Sequence, residues 1–310
     1  MLQSSISPSL TAVRVPRFLI IGAYKSGTTA LYRYLNQHPQ VYMSPLKETN
    51  FFALEGLSPN YQGPGDAQAP TNRLSLTRWD DYVAQFTAAT PDQAIGEASP
   101  MYLYSPRAPE RIQRYLPNAK LIAILRHPVE RAYSNFLHLL RDGRERSHDF
   151  AQVWSQEDGR IAANWAPIWH WQNIGYYAAQ LRRYFDRFSP EQIKVVLHED
   201  LTQRPQTTFQ EIFEFIGVDP QFLPDTSHRP NQSGIPKNRW VHGLVRRLVL
   251  APLNATRQPA LLDLSQKLRN PLLYKPQLSP QLKAELTALY RQDIEQLQAL
   301  IGRDLSHWLA

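Results

Sequence analysis

The chain of 310 residues contains no cysteine. Disulfides and thiolate metal sites are therefore excluded, and the absence fits a reducing compartment. Long hydrophobic runs are missing as well. No apolar stretch approaches the ~18 residues that a membrane span requires. Residues 1–17 hold no continuous apolar segment before Phe18, so no secretory leader is expected and the expected setting is the cytoplasm. There is no internal repeat and no low-complexity tract. Charge of one sign is not concentrated either. The 34 Lys and Arg exceed the 27 Asp and Glu by 7, but apart from Arg141, Arg144 and Arg146 and the Arg246–Arg247 pair they are scattered. No nucleic-acid-binding signature surrounds them. The surplus suits solubility or a small anionic ligand, and no nucleic-acid partner is expected.

What is present is ordinary globular material, 43% hydrophobic and 20% charged, in a chain long enough to bury a sizeable core. Phe18-Leu19-Ile20-Ile21-Gly22 is a short apolar run that reads as a buried strand. A glycine-containing loop follows, then a helix with Ala30, Leu31, Tyr34 and Leu35 on one face, ended by Asn36 and Pro39. A second unit starts at Lys120. Leu121–Leu125 is continuous and apolar, as a central parallel strand requires. Pro128 suits the first position of a helix, and Val129, Ala132, Tyr133, Phe136, Leu137 and Leu140 give that helix one apolar face.

The third unit places a helix carrying Tyr177, Leu181, Tyr184 and Phe185 before the strand Ile193–Leu197, with another helix from Thr207 to Ile216 stopped by Gly217. A last helix begins with Ser279 as cap and Pro280 at its first turn, and stops at Gly302. Residues 53–78, rich in turn formers, predict a long surface excursion. Alternating strands and helices predict an α/β, three-layer fold of P-loop type with a central parallel sheet flanked by helices. The expected organisation is an N-terminal extension over 1–16 and one domain over 17–310, with a helical segment over 241–310.

Ligands of such folds bind at the carboxyl ends of the strands, where two segments stand out. Gly22-Ala23-Tyr24-Lys25-Ser26-Gly27-Thr28-Thr29 combines glycines for close backbone approach, hydroxyl donors, a lysine and a following helix N-terminus. It falls short of G-x-x-x-x-G-K-[ST], because position 28 is Thr and the lysine precedes Gly27 by two residues. The bland alternative is a glycine turn with an exposed lysine. The second segment is Arg126, where a P-loop kinase or nucleotidase places an Asp for Mg²⁺. A guanidinium repels a cation and fits a phosphate in bidentate fashion. Ser134 lies two turns into the following helix. The alternative is an Arg126–Glu130 pair beside a surface serine.

Lys25-Ser26-Gly27-Thr28-Thr29 resembles the 5′-phosphosulfate loop of sulfotransferases that use 3′-phosphoadenosine 5′-phosphosulfate (PAPS), and Arg126 to Ser134 resembles their 3′-phosphate site. The match is closer to the heparan sulfate sulfotransferase branch and its bacterial relatives than to the small-phenol branch. Lys47-Glu48-Thr49-Asn50-Phe51-Phe52, Glu97-Ala98-Ser99-Pro100-Met101-Tyr102 and Gly175-Tyr176-Tyr177 support it, over roughly residues 17–240. Ser233 to Arg239 is similar to the family's late cofactor loop.

The resemblance implies that Lys25 binds the bridging oxygen and that Ser26, Gly27, Thr28 and Thr29 cradle the 5′-phosphate. It implies that Arg126 and Ser134, helped by Lys237, Asn238 and Arg239, hold the 3′-phosphate, and that Glu48 is the general base. Where some relatives carry a lysine, this chain has Ala98, which leaves the acceptor class open. The implied partners are PAPS and a sulfate acceptor: a glycan, a glycolipid, a carrier-bound acyl chain or another small molecule. No metal is required by the scheme.

Three alternatives stay open on the residues alone. The chain could be a P-loop kinase or nucleotidase using ATP, or a non-catalytic PAPS-binding module. The base could be His138, His148 or His170, with Glu48 merely salt-bridged to Lys47 or Arg33. The aromatic stretch Trp165, Trp169, Trp171, Tyr176 and Tyr177 could stack on sugar or fill the core.

Overall fold

In the computed structural model, residues 13–226, 234–237 and 272–310 are described, with positions 245, 248, 249, 264 and 268. Five parallel strands form the central sheet: β1 (Phe18–Gly22), β2 (Val41–Met43), β3 (Ala94–Ala98), β4 (Lys120–Leu125) and β5 (Ile193–Leu197), in the order β2-β3-β1-β4-β5. Alternate side chains leave opposite faces of a strand. In β1 and β4, Leu19, Ile21, Leu121, Ala123 and Leu125 enter one core cluster, while Phe18, Ile20, Ile122 and Ile124 enter the other. Both faces are covered, which explains why these strands read as unbroken apolar runs. Helix Thr28–Leu35 and helix Pro205–Ile216 cover the second face through Leu31, Leu35, Phe209 and Phe213. Helices Pro128–Arg141, Tyr177–Phe185 and Pro280–Ile301 contribute Val129, Leu137, Leu181 and Tyr290 to the first. The three-layer α/β expectation describes the observed architecture.

Local signals account for the helix ends. Ser279 accepts a hydrogen bond from the Leu282 N–H at 3.2 Å, and Gly302 closes that helix in the left-handed region at φ 62°. Strands β2 and β3 have no counterpart in the sequence reading. One is three residues long, and the other contains Gly96 and Glu97. Gly96 is required by packing: a Cβ there would lie 2.1 Å from Cζ of Phe18 on the neighbouring strand.

The expected surface excursion over 53–78 is mostly half-buried or exposed, with buried anchors at its start and at Gly63 and Asp66. Ala53 and Leu54 are buried in helix Phe51–Leu54, and Asp66 is fully buried. The Asp66 carboxylate accepts hydrogen bonds from the N–H groups of Gly63 (2.8 Å) and Ala166 (2.9 Å) and from Trp169 Nε1 (3.4 Å), and pairs with Arg144. Turn-forming composition marks a chain reversal but cannot show that a carboxylate ties the reversal down. Ile235–Pro236 pairs antiparallel with Leu273–Tyr274 in a separate two-stranded ribbon.

Candidate active site

The chain leaves β1 for β2 and β3 on one side, whereas β4 lies on the other side of β1. That reversal is the switch point at which α/β sheets open a crevice. Beyond the carboxyl ends of β1 and β4 lies a cleft of about 700 Å³. Lys25, Gly27, Thr28, Thr29, Glu48, Arg126 and Ser134 all line it, together with His138, His198 and Lys275.

The loop after β1 turns through two left-handed residues, Lys25 at φ 61° and Gly27 at φ 113°. Lysine in that region costs roughly 1–3 kcal/mol, so the fold holds Lys25 there against its preference. Helix Thr28–Leu35 follows without a side-chain cap, leaving its first N–H groups directed at the cleft end. Lys25 is partly open to the cleft, yet its surroundings bring the ammonium from 10.5 to about 7, through burial and then the nearby Arg141 charge. No carboxylate forms an ion pair with it among the described residues. Ser26 is wholly buried behind the loop and off the cleft wall. It neighbours Tyr177, but its Oγ meets no partner with hydrogen-bonding geometry.

Arg126 follows β4. Its side chain is 11% exposed and pairs with Glu130 at 3.4 Å, while its Nε is buried without a hydrogen-bond partner. The pairing that would make Arg126 merely structural is therefore present, but it leaves donors unused. Tyr177 donates to the Arg126 carbonyl at 2.9 Å. Burial and the Arg126 charge push His198, at the end of β5, down to about 4, so it is neutral at pH 7. Lys275 is held below the usual lysine range by burial and by Arg126. Cations crowd this end, and an anion there would relieve their repulsion. The orphaned Arg126 Nε and the uncapped helix fit a bisphosphate.

Glu48 lies at the other end, at φ 64°, with its N–H bonded to the Ala98 carbonyl at 3.0 Å. Its carboxylate pairs with Lys47 and is 36% exposed. Phe51 and Phe52 anchor the segment, both fully buried. Behind it, burial raises the Glu97 carboxyl to about 7, opposed first by its hydrogen bond from Ser99.

Of the three histidines weighed as bases, His138, His148 and His170, only His138 reaches the cleft. Burial and the Lys25 charge hold it well below its ordinary value. His170 has both ring nitrogens engaged, with Tyr104 Oη and the Trp165 carbonyl, each at 3.0 Å. His148 is exposed and away from the cleft wall. Trp169, Trp171 and Tyr177 are core residues, which leaves Trp165 and Tyr176 as the partly exposed members of the aromatic stretch.

Lys237 is exposed on the two-stranded ribbon, its N–H bonded to the Leu272 carbonyl at 2.9 Å, and it is not on the cleft wall. Asn238 and Arg239 lie outside the described residues. Sequence reasoning missed Tyr24, His198 and Lys275. His198 could have been found from its place at the end of a strand; nothing local marks Lys275.

A doubly covered parallel sheet with a phosphate-type loop and an arginine at its switch point defines a nucleotide-dependent group-transfer enzyme. Residues 16–222 match the sequence model described as "Sulfotransferase family". The chain belongs to that family. It is 30% identical over 249 residues, 77% of its length, to the human "Bifunctional heparan sulfate N-deacetylase/N-sulfotransferase 2". It is 35% identical over 122 residues, 39% of its length, to the Dictyostelium discoideum "Membrane-associated sulfotransferase kil1". The matches span 26% and 22% of those proteins, about a quarter of each. A solved sulfotransferase from Alicyclobacillus acidocaldarius superposes with a TM-score of 0.76 at 34% identity, covering 96% of this chain and all of the other.

Proposed function

We infer that the chain transfers a sulfuryl group from PAPS to a hydroxyl or amine of a glycan or glycolipid, with Glu48 as general base. PAPS supplies the activated sulfuryl group and a bisphosphate that departs. The observation that carries the reading is one cleft with Lys25 in it, Arg126 and Ser134 at one end and Glu48 at the other.

Gly27, Thr28 and Thr29, with the uncapped helix N-terminus, hold the 5′-phosphate. Arg126 and Ser134 hold the 3′-phosphate, with Lys275 adding charge. The Lys25 ammonium donates to the oxygen on which negative charge grows, a contribution of about 10²–10³ in rate. Glu48 takes the acceptor proton, worth about 10²–10⁴, and Lys47 pairs with its carboxylate. None of these roles needs a metal ion. Thr28 and Arg126 stand where ATP-using P-loop enzymes place the Walker lysine and the Mg²⁺ aspartate, which disfavours the kinase reading. The heparan sulfate relatives support a glycan acceptor.

The test is transfer of label from PAPS in excess EDTA to an amine-bearing polysaccharide, a hydroxyl-only polysaccharide, a glycolipid and a hydroxyacyl thioester. Label in a saccharide is expected. Label in the thioester alone would replace the acceptor class, and turnover only after Mg²⁺ is restored would reopen the kinase reading.

A further inference from the structure

Glu48 and Asn50 both occupy the left-handed region, at φ 64° and φ 54°. Asn tolerates that region but Glu does not, so at Glu48 the turn is imposed by its surroundings and not by local preference. Besides the bonds from the Leu76 N–H to the Thr49 carbonyl at 2.8 Å and from Asn50 Nδ2 to Ser75 Oγ at 3.0 Å, two bonds tie its own backbone N–H groups to the end of β3. The Glu48 N–H reaches the Ala98 carbonyl at 3.0 Å, an acceptor that any residue at 98 would supply. The Asn50 N–H reaches Ser99 Oγ at 2.9 Å, an acceptor that depends on the side chain. Ser99 has one proton, and it goes to Glu97 Oε1 at 2.5 Å. That bond fixes the hydroxyl rotor and leaves its lone pairs toward the Asn50 N–H. Glu97 and Ser99 are fully buried, and neither lines the cleft. A buried carboxyl is costly unless it is well bonded, and Glu97 keeps one oxygen without a partner. Its position is poorly explained by stability alone.

We propose that Glu97 and Ser99 are positioning residues: the Glu97–Ser99–Asn50 relay holds the left-handed turn that aims the Glu48 carboxylate into the cleft. The inference rests on Glu48 acting as the base. Lys47 ties the two levels together, because it pairs with Glu48 and its charge also reaches Glu97. Neither positioning residue touches the reacting atoms. The effect of losing one is therefore misplacement of the base, which can cost up to about 10²-fold in rate.

Ser99→Ala removes the acceptor, and Ser99→Cys, close in volume, replaces it with a weak one. Each is made alone and with Glu48→Gln. Turnover is read with the best acceptor of the four classes above, or with water as release of labelled inorganic sulfate. The expected result for either Ser99 variant is a fall in kcat of about tenfold to a hundredfold, with affinity for adenosine 3′,5′-bisphosphate within about threefold. The loss should vanish in the Glu48→Gln background, since a residue acting through Glu48 has nothing left to position. Hydrogen exchange of the peptide 47–52 should quicken while that of 126–141 does not.

An equal loss in both backgrounds, unchanged kcat, or unchanged exchange at 47–52 overturns the relay. Near-normal kcat in Glu48→Gln by itself overturns the base assignment instead, so the two failures are told apart. Should Ser99→Ala not fold, Ser99→Cys carries the test.

Discussion

The two ends of the cleft are built differently. The nucleotide end consists of two strand-to-helix turns, Lys25–Thr29 after β1 and Arg126–Ser134 into the next helix, each contiguous in sequence. The Glu48 end consists of a turn tied by distant partners, Glu48 to Ala98 and Asn50 to Ser99, and off the cleft wall Asp66 ties another loop to Ala166, Trp169 and Arg144. Binding a bisphosphate needs backbone donors and fixed cations, which a turn on a buried sheet supplies by itself. Aiming a base at a variable acceptor needs a loop whose shape is set by contacts from elsewhere. The first end can stay constant while the second changes.

Substitutions should separate the two ends. The largest effect is expected for Glu48→Gln: kcat falls about 10²–10⁴-fold, while bisphosphate affinity by calorimetry changes less than about threefold. A parallel loss of affinity would show that the ends are not independent. Asp66→Ala should destabilise by about 3 kcal/mol in denaturant titration, because it strands Arg144 and three other donors. It should leave bisphosphate binding in the folded protein intact. Arg126→Ala does the reverse. It should weaken bisphosphate binding about tenfold or more and spare the melting temperature of the free protein. Lys275→Ala, an exposed cation beside Arg126, should weaken it less than about fivefold.

The smallest effect is a proton. Lys25 sits at about 7 in the folded protein, below its ordinary 10.5. Between those values the unfolded chain binds more protons than the native one, so Lys25 makes stability rise with pH across that window. An anion in the cleft favours the ammonium, so bisphosphate binding at pH 8 should take up a fraction of a proton. Calorimetry in buffers of different ionisation enthalpy measures this, and Lys25→Met should abolish it. Uptake that persists in Lys25→Met would move the titration to another group.

Much of the fold was legible because its signals are short-range. An apolar run followed by Gly22 or by Arg126 and Pro128 declares strand, turn and helix within a dozen residues, and that unit already carries the anion-binding chemistry. The short strands β2 and β3 were not legible: Val41–Met43 is too brief to show a period, and Gly96 is explained only by the Phe18 ring across the sheet. Nothing local in the sequence marks Lys275, which the structure brings to the cleft wall.

By itself the sequence determined the parallel α/β unit, the phosphate-type loop, and the arginine that takes the place of a metal-binding aspartate. Each of these depends on residues adjacent along the chain. Only the tertiary structure decided that Asp66 is a buried hub, that Ser99 holds the turn bearing Glu48, and that Lys275 faces Arg126. Those partners lie tens of residues or more apart, and hydrogen-bond geometry and burial between them come into being only when the sheet and its helices have packed.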